Sequence, residues 1–456
     1  MAVSIIILAA GQGTRMRSTL PKVLHRLAGR PLLSHVITKA RQLNPDQIII
    51  VYGHGGETVP KAISEKDIIW VQQELQLGTG HAVAQALPYI NQNSMILVLY
   101  GDVPLVGVET LQELLTVVGE RRVGLVTVEL SNPTGYGRII RDKSGEVAKI
   151  VEEADANAAQ REVREVNTGI MAIESHYLEQ IIPKISNNNA QGEYYLTDTI
   201  EQTIIEGGRV TTVSVSDSIE VMGVNDRKQL AHLERTYQAR EVTRLMQEGI
   251  SFSDPERFDL RGELKAGQDI YIDVNVILEG QVVLGDNVKI GPNCYIRDTV
   301  LEAGVEVFAN CVIEGAIVDT QARIGPFARI RPETVLSEKT HIGNFVEIKK
   351  SAIGKNSKIN HLSYIGDATV GKEVNVGAGT ITCNYDGANK HHTIIEDNAF
   401  IGSDTQLIAP VKIGVGATIG AGSTITRDTP PGELTLSRSS QQTRPKWKRP
   451  TKDKRN

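Results

Sequence analysis

Aromatic residues are scarce in this 456-residue chain, with Phe, Tyr and Trp together making up 4%. An interior without large rings is filled by Ile, Leu and Val, which suits stacked, repetitive layers. Cysteine is nearly absent. Cys294, Cys311 and Cys383 are too few and too scattered for a disulfide framework or a zinc site, so a reducing, cytoplasmic setting is expected. No apolar run is long enough to cross a bilayer, which argues against membrane insertion. The start, Met1–Ala10, is apolar but lacks a basic leader and runs into a glycine loop, so it reads as a buried strand and not as a signal peptide. Excess positive charge is also missing: the formal net charge is −5, whereas nucleic-acid binders carry a basic footprint. The exception is local. Arg444 to Arg455 sets seven Lys and Arg against Asp453 alone, and the stretch 437–456 reads as a solvated, disordered tail.

What the second half has in abundance is a step of six. Ile272, Leu278, Leu284, Ile290 and Ile296 are equally spaced, and so are Ile401, Leu407, Ile413, Ile419 and Ile425. On an α-helix six residues turn through about 600°, which scatters such a row over several faces. On extended chain six is a multiple of two, so every rung faces the same way. Glycines after the rungs, such as Gly285, Gly291, Gly402, Gly414 and Gly420, let the backbone turn a corner. The pattern predicts a solenoid over 251–436, a left-handed parallel β-helix of hexapeptide repeats in which each coil buries its apolar row against its neighbours. The row slips by one residue between Ile348 and Ile353 and again between Ile365 and Val370, where a coil must tighten or a loop must bulge. Cys383-Asn384-Tyr385-Asp386-Gly387 is rich in turn residues and reads as a loop thrown out from the prism.

Residues 1–227 alternate strand and helix patterns. Val3–Ala10, Gln47–Tyr52, Met95–Tyr100 and Val123–Val128 are expected strands, and Pro31–Leu43 and His81–Leu87 expected helices. That order predicts a Rossmann-like α/β domain with a mostly parallel sheet, whose ligands sit at the carboxyl ends of the strands. Leu230, Leu233, Tyr237 and Leu245 recur near helical period, so a helical linker is expected over 228–250.

Leu8-Ala9-Ala10-Gly11-Gln12-Gly13-Thr14-Arg15 follows the first strand, with Pro21-Lys22 soon after. Glycines at a strand end allow backbone N–H groups to approach phosphate oxygens, and Arg15 and Lys22 add positive charge. The spacing is neither a Walker loop nor the dinucleotide fingerprint. Three further stretches accompany it: Gln76-Leu77-Gly78-Thr79-Gly80-His81, Tyr100-Gly101-Asp102-Val103-Pro104 and Gly223-Val224-Asn225-Asp226. Together these resemble the sugar-nucleotidyltransferase motifs. Followed by hexads, the whole chain resembles the bacterial bifunctional family that combines N-acetylglucosamine-1-phosphate uridylyltransferase with glucosamine-1-phosphate N-acetyltransferase.

The resemblance implies two active sites. In the first, Leu8, Ala9, Ala10, Gly11, Arg15, Lys22, Gln73, Gly78 and Thr79 would hold UTP, and Asp102 and Asn225 would hold Mg²⁺. Tyr100, Gly137, Glu152, Asn167 and Thr168 would hold the acetamido sugar. Gln12 stands where many relatives carry Lys. In the second, His361 would be the base that takes the amine proton, a task suited to a group with a pKa near neutrality. Glu347 is the expected orienting partner of His361. Arg331, Lys349, Tyr364, Asn375 and Asn384 would bind the sugar phosphate, and Ala378, Asn384, Tyr385, Ser403, Ala421 and Arg438 would line acetyl-CoA. No serine triad is visible, which favours direct attack by the amine. The resemblance further implies a homotrimer with shared acetyltransferase sites, and a role in supplying UDP-N-acetylglucosamine for peptidoglycan and lipopolysaccharide. Two alternatives have clear signatures. A single-activity nucleotidyltransferase would carry a featureless solenoid, and a regulatory subunit would have lost Asp102, Asn225, Arg15 or Lys22.

Overall fold

The computed structural model describes residues 2–63 and 65–452. The chain divides into two compact units at Tyr237–Gln238, inside the helix Arg227–Gln247. Of the basic tail, 444–452 is exposed and without helix or strand, while Asp453, Lys454 and Arg455 lie outside the described residues.

The first unit is built on β1 (Ala2–Ala9), α1 (Leu32–Gln42), β2 (Gln47–Tyr52), β3 (Ile68–Gln72), α2 (Thr79–Ala86), β4 (Ser94–Tyr100), β5 (Arg122–Glu129), β6 (Glu165–Glu174) and β7 (Arg209–Val215). The expected strands and helices are all present, to within two residues at either end. The sheet order is β7-β5-β6-β4-β1-β2-β3. All neighbours are parallel except β6, which runs against both β4 and β5. Parallel strands are covered on both faces, which is why β1 reads as an unbroken apolar run; Ile5, Ile6 and Ile7 are wholly buried. The chain leaves β1 for β2 on one side and reaches β4 on the other, so a crevice opens at the carboxyl ends of β1 and β4. A hairpin of Arg138–Arg141 and Val147–Val151 joins β6 through the pair Arg138 and Val166.

The second unit is a parallel β-helix. Along one face the register runs Tyr271, Lys289, Glu306, Arg323, His341, Lys358, Asn375, Phe400, Thr418, one strand per coil. Three buried ladders fill the prism, one through Ile272, Ile290 and Ile324, one through Leu278, Ile296 and Ile330, and one through Leu284, Leu301 and Leu336. Each such side chain contributes about 1.5–3 kcal/mol on leaving water, and only stacking makes the burial available.

The expected slips are tightened corners. Coils of 17 residues replace coils of 18, as from Lys358 to Asn375, and Lys350 (φ 45°) and Asp367 (φ 48°) adopt the left-handed region to close them. The same shortening occurs at Asp298 (φ 47°), a coil whose slip the spacing of Ile296 and Leu301 already contains. One step is long. Asn375 pairs with Phe400, 25 residues on, and the surplus forms a hairpin held by the bridge of Tyr385 to Lys390.

Candidate active sites

A cleft of about 470 Å³ opens at the carboxyl ends of β1 and β4. It is lined by Leu8, Ala9, Ala10, Gly11 and Lys22 from the first loop, Gln73, Gly78 and Thr79 after β3, and Tyr100 and Asp102 after β4. Gly13 makes the geometry possible. Its φ is +62°, and a Cβ there would lie 2.7 Å from Lys22 Cβ, so only glycine lets the loop close over the lysine stem. Gln73 is buried and its amide donates to the Gly78 carbonyl at 3.1 Å, with His81 Nδ1 at 2.9 Å. Gln76, which opens the stretch Gln76–His81, also lines the cleft, and so does Glu193, which comes from a distant loop with no motif of its own and was missed from the sequence.

Asp102 and Asn225 are brought together by a backbone bond, Val224 N–H to the Asp102 carbonyl at 2.9 Å. Lys22 Nζ reaches both, 2.5 Å from Asp102 Oδ2 and 3.4 Å from Asn225 Oδ1. Arg15 Nη2 donates to the same Asn225 oxygen at 2.8 Å. Both expected phosphate-binding cations therefore rest on the expected metal ligands. An ammonium touching a carboxylate and an amide oxygen marks a place that fits a hard cation. Among the described residues no group of three or more His, Cys, Asp or Glu could hold a metal.

The expected sugar residues converge beside this cleft. Asn167 N–H donates to the Gly137 carbonyl at 2.8 Å, and a Cβ on Gly137 would lie 3.2 Å from Glu152 Oε1. Thr197 donates to Glu152 at 2.9 Å, while burial raises the carboxyl pKa. Desolvation, with Glu152 and Asp102 adding negative charge, pushes the Tyr100 phenol well above its ordinary value. Thr168 is turned into the sheet, donating to the Val126 carbonyl at 2.8 Å.

In the second unit, five residues fall at one register along one corner: Asn344, His361, Ala378, Ser403 and Ala421. A backbone hydrogen bond steps from each to the next coil: Leu362 N–H to Asn344, Gly379 N–H to His361, Asp404 N–H to Ala378 and Gly422 N–H to Ser403. Arg438 closes the line, donating to the Ala421 carbonyl at 2.7 Å. His361 Nδ1 lies 2.9 Å from Asn344 Oδ1. Glu347, the expected orienting partner, instead accepts from Arg331 at 2.8 Å, because it sits on another face of the prism.

That other face gathers the expected anion-binding residues. Lys349 meets Asp367 at 3.2 Å, Asp367 accepts from Asn384, and the Asn384 amide lies 3.5 Å from the Tyr364 hydroxyl. Lys390, from the returning arm of the hairpin, faces Lys349, whose proximity pulls the Lys390 pKa down. Asp386 pins that hairpin by accepting from Ala388 N–H and Asn389 N–H and by pairing with His391, and these contacts, the Asn389 N–H above all, hold its carboxyl well below the usual range. Tyr385 donates to the Gly387 carbonyl at 2.6 Å. Asn375 stands apart from this cluster, on the His361 face between Lys358 and Phe400. Within one chain, no hydrogen bond or ion pair among the described residues joins His361 to Arg331, Lys349 or Tyr364.

Known proteins resemble the chain in both units. Residues 5–167 match the MobA-like NTP transferase domain, residues 260–342 and 317–385 match the GMPPB C-terminal domain, and residues 392–427 match the bacterial transferase hexapeptide (six repeats). The bifunctional protein GlmU of Nitrosococcus oceani is 74% identical over 99% of this chain and 100% of its own length. That of Methylococcus capsulatus is 59% identical over 99% and 98%, and that of Pseudomonas putida 54% identical over 100% of both. The chain belongs to the GlmU family. As a GlmU protein it combines a nucleotidyltransferase unit with a hexapeptide-repeat transferase unit, and the single-activity and regulatory alternatives fall away. In the second unit of this GlmU chain, Asn344, Asp367, Thr382 and Lys390 escaped the sequence reading. Thr382 had a visible signal, since it places a hydroxyl in a ladder otherwise filled by Ile and Leu, and bonds Gly366 N–H at 2.7 Å.

Proposed function

We propose that this chain makes UDP-N-acetylglucosamine in two steps. In the β-helix, the amine of glucosamine-1-phosphate attacks the thioester carbonyl of acetyl-CoA, the C–N bond forms, and the thiolate of CoA leaves. In the first unit, a phosphate oxygen of N-acetylglucosamine-1-phosphate attacks the α-phosphorus of UTP and expels diphosphate.

The observation that carries the reading is the register shared by His361, Ala378, Ser403 and Ala421. An extended pantetheine arm laid along that corner ends beside the imidazole. The Asn344 oxygen can only accept, so it holds the proton on Nδ1 and leaves Nε2 free to take one from the amine. Ser403 can donate to the thioester oxygen as charge develops on it. Arg331, Lys349 and Lys390 supply positive charge for the sugar phosphate, with Tyr364, Asn375 and Asn384 for the sugar. Because His361 and these cations occupy different faces of one chain, the site is assembled from neighbouring chains in a closed symmetric oligomer, a homotrimer. The exposed stripe of Phe327, Phe345 and Leu362 beside His361 supports such an association.

In the first unit, the loop Leu8–Gly11 offers backbone N–H groups, and Arg15 and Lys22 offer charge, to a triphosphate. Gln73, Gly78 and Thr79 stand where uracil would lie, and Tyr100, Gly137, Glu152 and Asn167 where the acetamido sugar would. Asp102 and Asn225 would hold Mg²⁺, which when bound neutralises phosphate charge. The free cysteines and the absence among the described residues of a helix able to cross a membrane fit a cytoplasmic enzyme. Two assays on the purified protein test the reading: acetyl-CoA with glucosamine-1-phosphate, and UTP with N-acetylglucosamine-1-phosphate and Mg²⁺. Both products are expected, and absence of the acetylated sugar would reduce the β-helix to a scaffold.

A further inference from the structure

Lys22 sits where a cation bound by Asp102 and Asn225 would sit. Its ammonium touches both oxygens, Arg15 occupies the Asn225 oxygen as well, and the Lys22 and Asp102 side chains are only 16% and 13% exposed. A divalent ion needs close contact with those same oxygens, and two cations cannot share them without strong repulsion at short range. The lysine backbone is fixed. Pro21 precedes it, the Leu24 N–H bonds the Pro21 carbonyl at 2.9 Å, and Gly13 packs against Lys22 Cβ. The flexible stem beyond Cβ is not fixed, and it lines the same cleft as Gly11 and Gly13, where a triphosphate would lie.

We propose that Lys22, aided by Arg15, acts as an internal stand-in for the metal: it blocks the Asp102–Asn225 pair in the nucleotide-free chain and is drawn off by an incoming triphosphate. The inference rests on the reading of Asp102 and Asn225 as metal ligands. Its consequence is coupling. A divalent cation alone binds weakly because it must displace Lys22, whereas a nucleotide that takes the ammonium onto its own phosphates exposes the ligands. Metal and nucleotide therefore enter together, and each strengthens the other by the same factor.

The test is Mn²⁺ binding to the full-length, nucleotide-free protein, read from the electron paramagnetic resonance of free Mn²⁺, which needs no turnover. Lys22→Met removes the ammonium and keeps the stem; it should tighten Mn²⁺ at least about tenfold over the unaltered chain. Arg15→Gln, a second variant should the first fold poorly, should tighten it by a smaller factor of about threefold. Asp102→Asn should weaken binding in both backgrounds. Tightening in Lys22→Met that is abolished by adding Asp102→Asn supports the proposal. Unchanged or weaker binding in Lys22→Met and Arg15→Gln, with Asp102→Asn still effective, overturns it and leaves the ligand assignment intact. Binding indifferent to Asp102→Asn overturns the ligand assignment itself.

Discussion

Nδ1 of His361 lies 2.9 Å from the amide oxygen of Asn344, one coil away in the same register. The parallel ladder sets that spacing, so the ring is oriented by the fold and not by a flexible partner. Asn344→Ala removes the acceptor that selects the tautomer. Acetyl transfer should fall by about tenfold in kcat, with uridylyl transfer unchanged. Asn344→Asp places a carboxylate against the ring, which favours the imidazolium. The acid limb of the acetyl-transfer pH profile should then move to higher pH. Steady-state kinetics of both reactions between pH 6 and 9 check this, and a profile that stays put would remove Asn344 from its positioning role.

The backbone was far more legible than the contacts. A six-residue apolar row points to a coiled prism, its two slips fall at the tight corners of Lys350 and Asp367, and the turn residues Cys383–Gly387 fall in the hairpin that the bridge of Tyr385 to Lys390 holds. Leu8 to Lys22, Gly78 and Asp102 were readable because they sit in motifs next to strand ends, whereas Gln73 lies in none of those motifs and came only with the family resemblance. Asn344 was not readable, because its partner lies 17 residues away and only the coil length, itself altered by the slips, gives their pairing. Glu347, the orienting partner of His361 that the family resemblance implies, lies on another face of the prism within one chain and there accepts from Arg331. Asp367 and Lys390 act through partners in other coils, and no local pattern marks them.

The acidic surroundings of Asp198 predict a stability effect. Burial first, then Glu201, Glu152 and Asp155, raise its carboxyl from 3.8 to about 6. Between roughly pH 4 and pH 6 the folded chain therefore holds a proton the unfolded chain has released, so stability falls as pH rises through that window. Asp198→Asn removes the fall. At pH 7.5 the variant should be more stable by on the order of 1 kcal/mol, after allowing for solvent screening of a half-buried group, and near pH 4 it should match the unaltered chain. Urea midpoints followed by fluorescence at both pH values check this.

Assembly of the second site from neighbouring chains predicts complementation. His361→Ala and Arg331→Ala homo-oligomers should each be deficient in acetyl transfer, the former by about 10³-fold. Refolded or co-expressed together, they should form mixed oligomers in which some sites receive an intact His361 from one chain and an intact Arg331 from another. Recovery of a substantial fraction of activity, absent on simply mixing preformed oligomers, is the expected result. No recovery in mixed oligomers would place both residues in one chain's site.

The most direct measurement is both reactions on Asp102→Ala and His361→Ala in folded protein. Asp102→Ala should abolish uridylyl transfer and leave acetyl transfer at its original rate, and His361→Ala should do the reverse. Loss of both activities in either variant, with the fold and assembly intact, would contradict the division of the chain into two independent active sites.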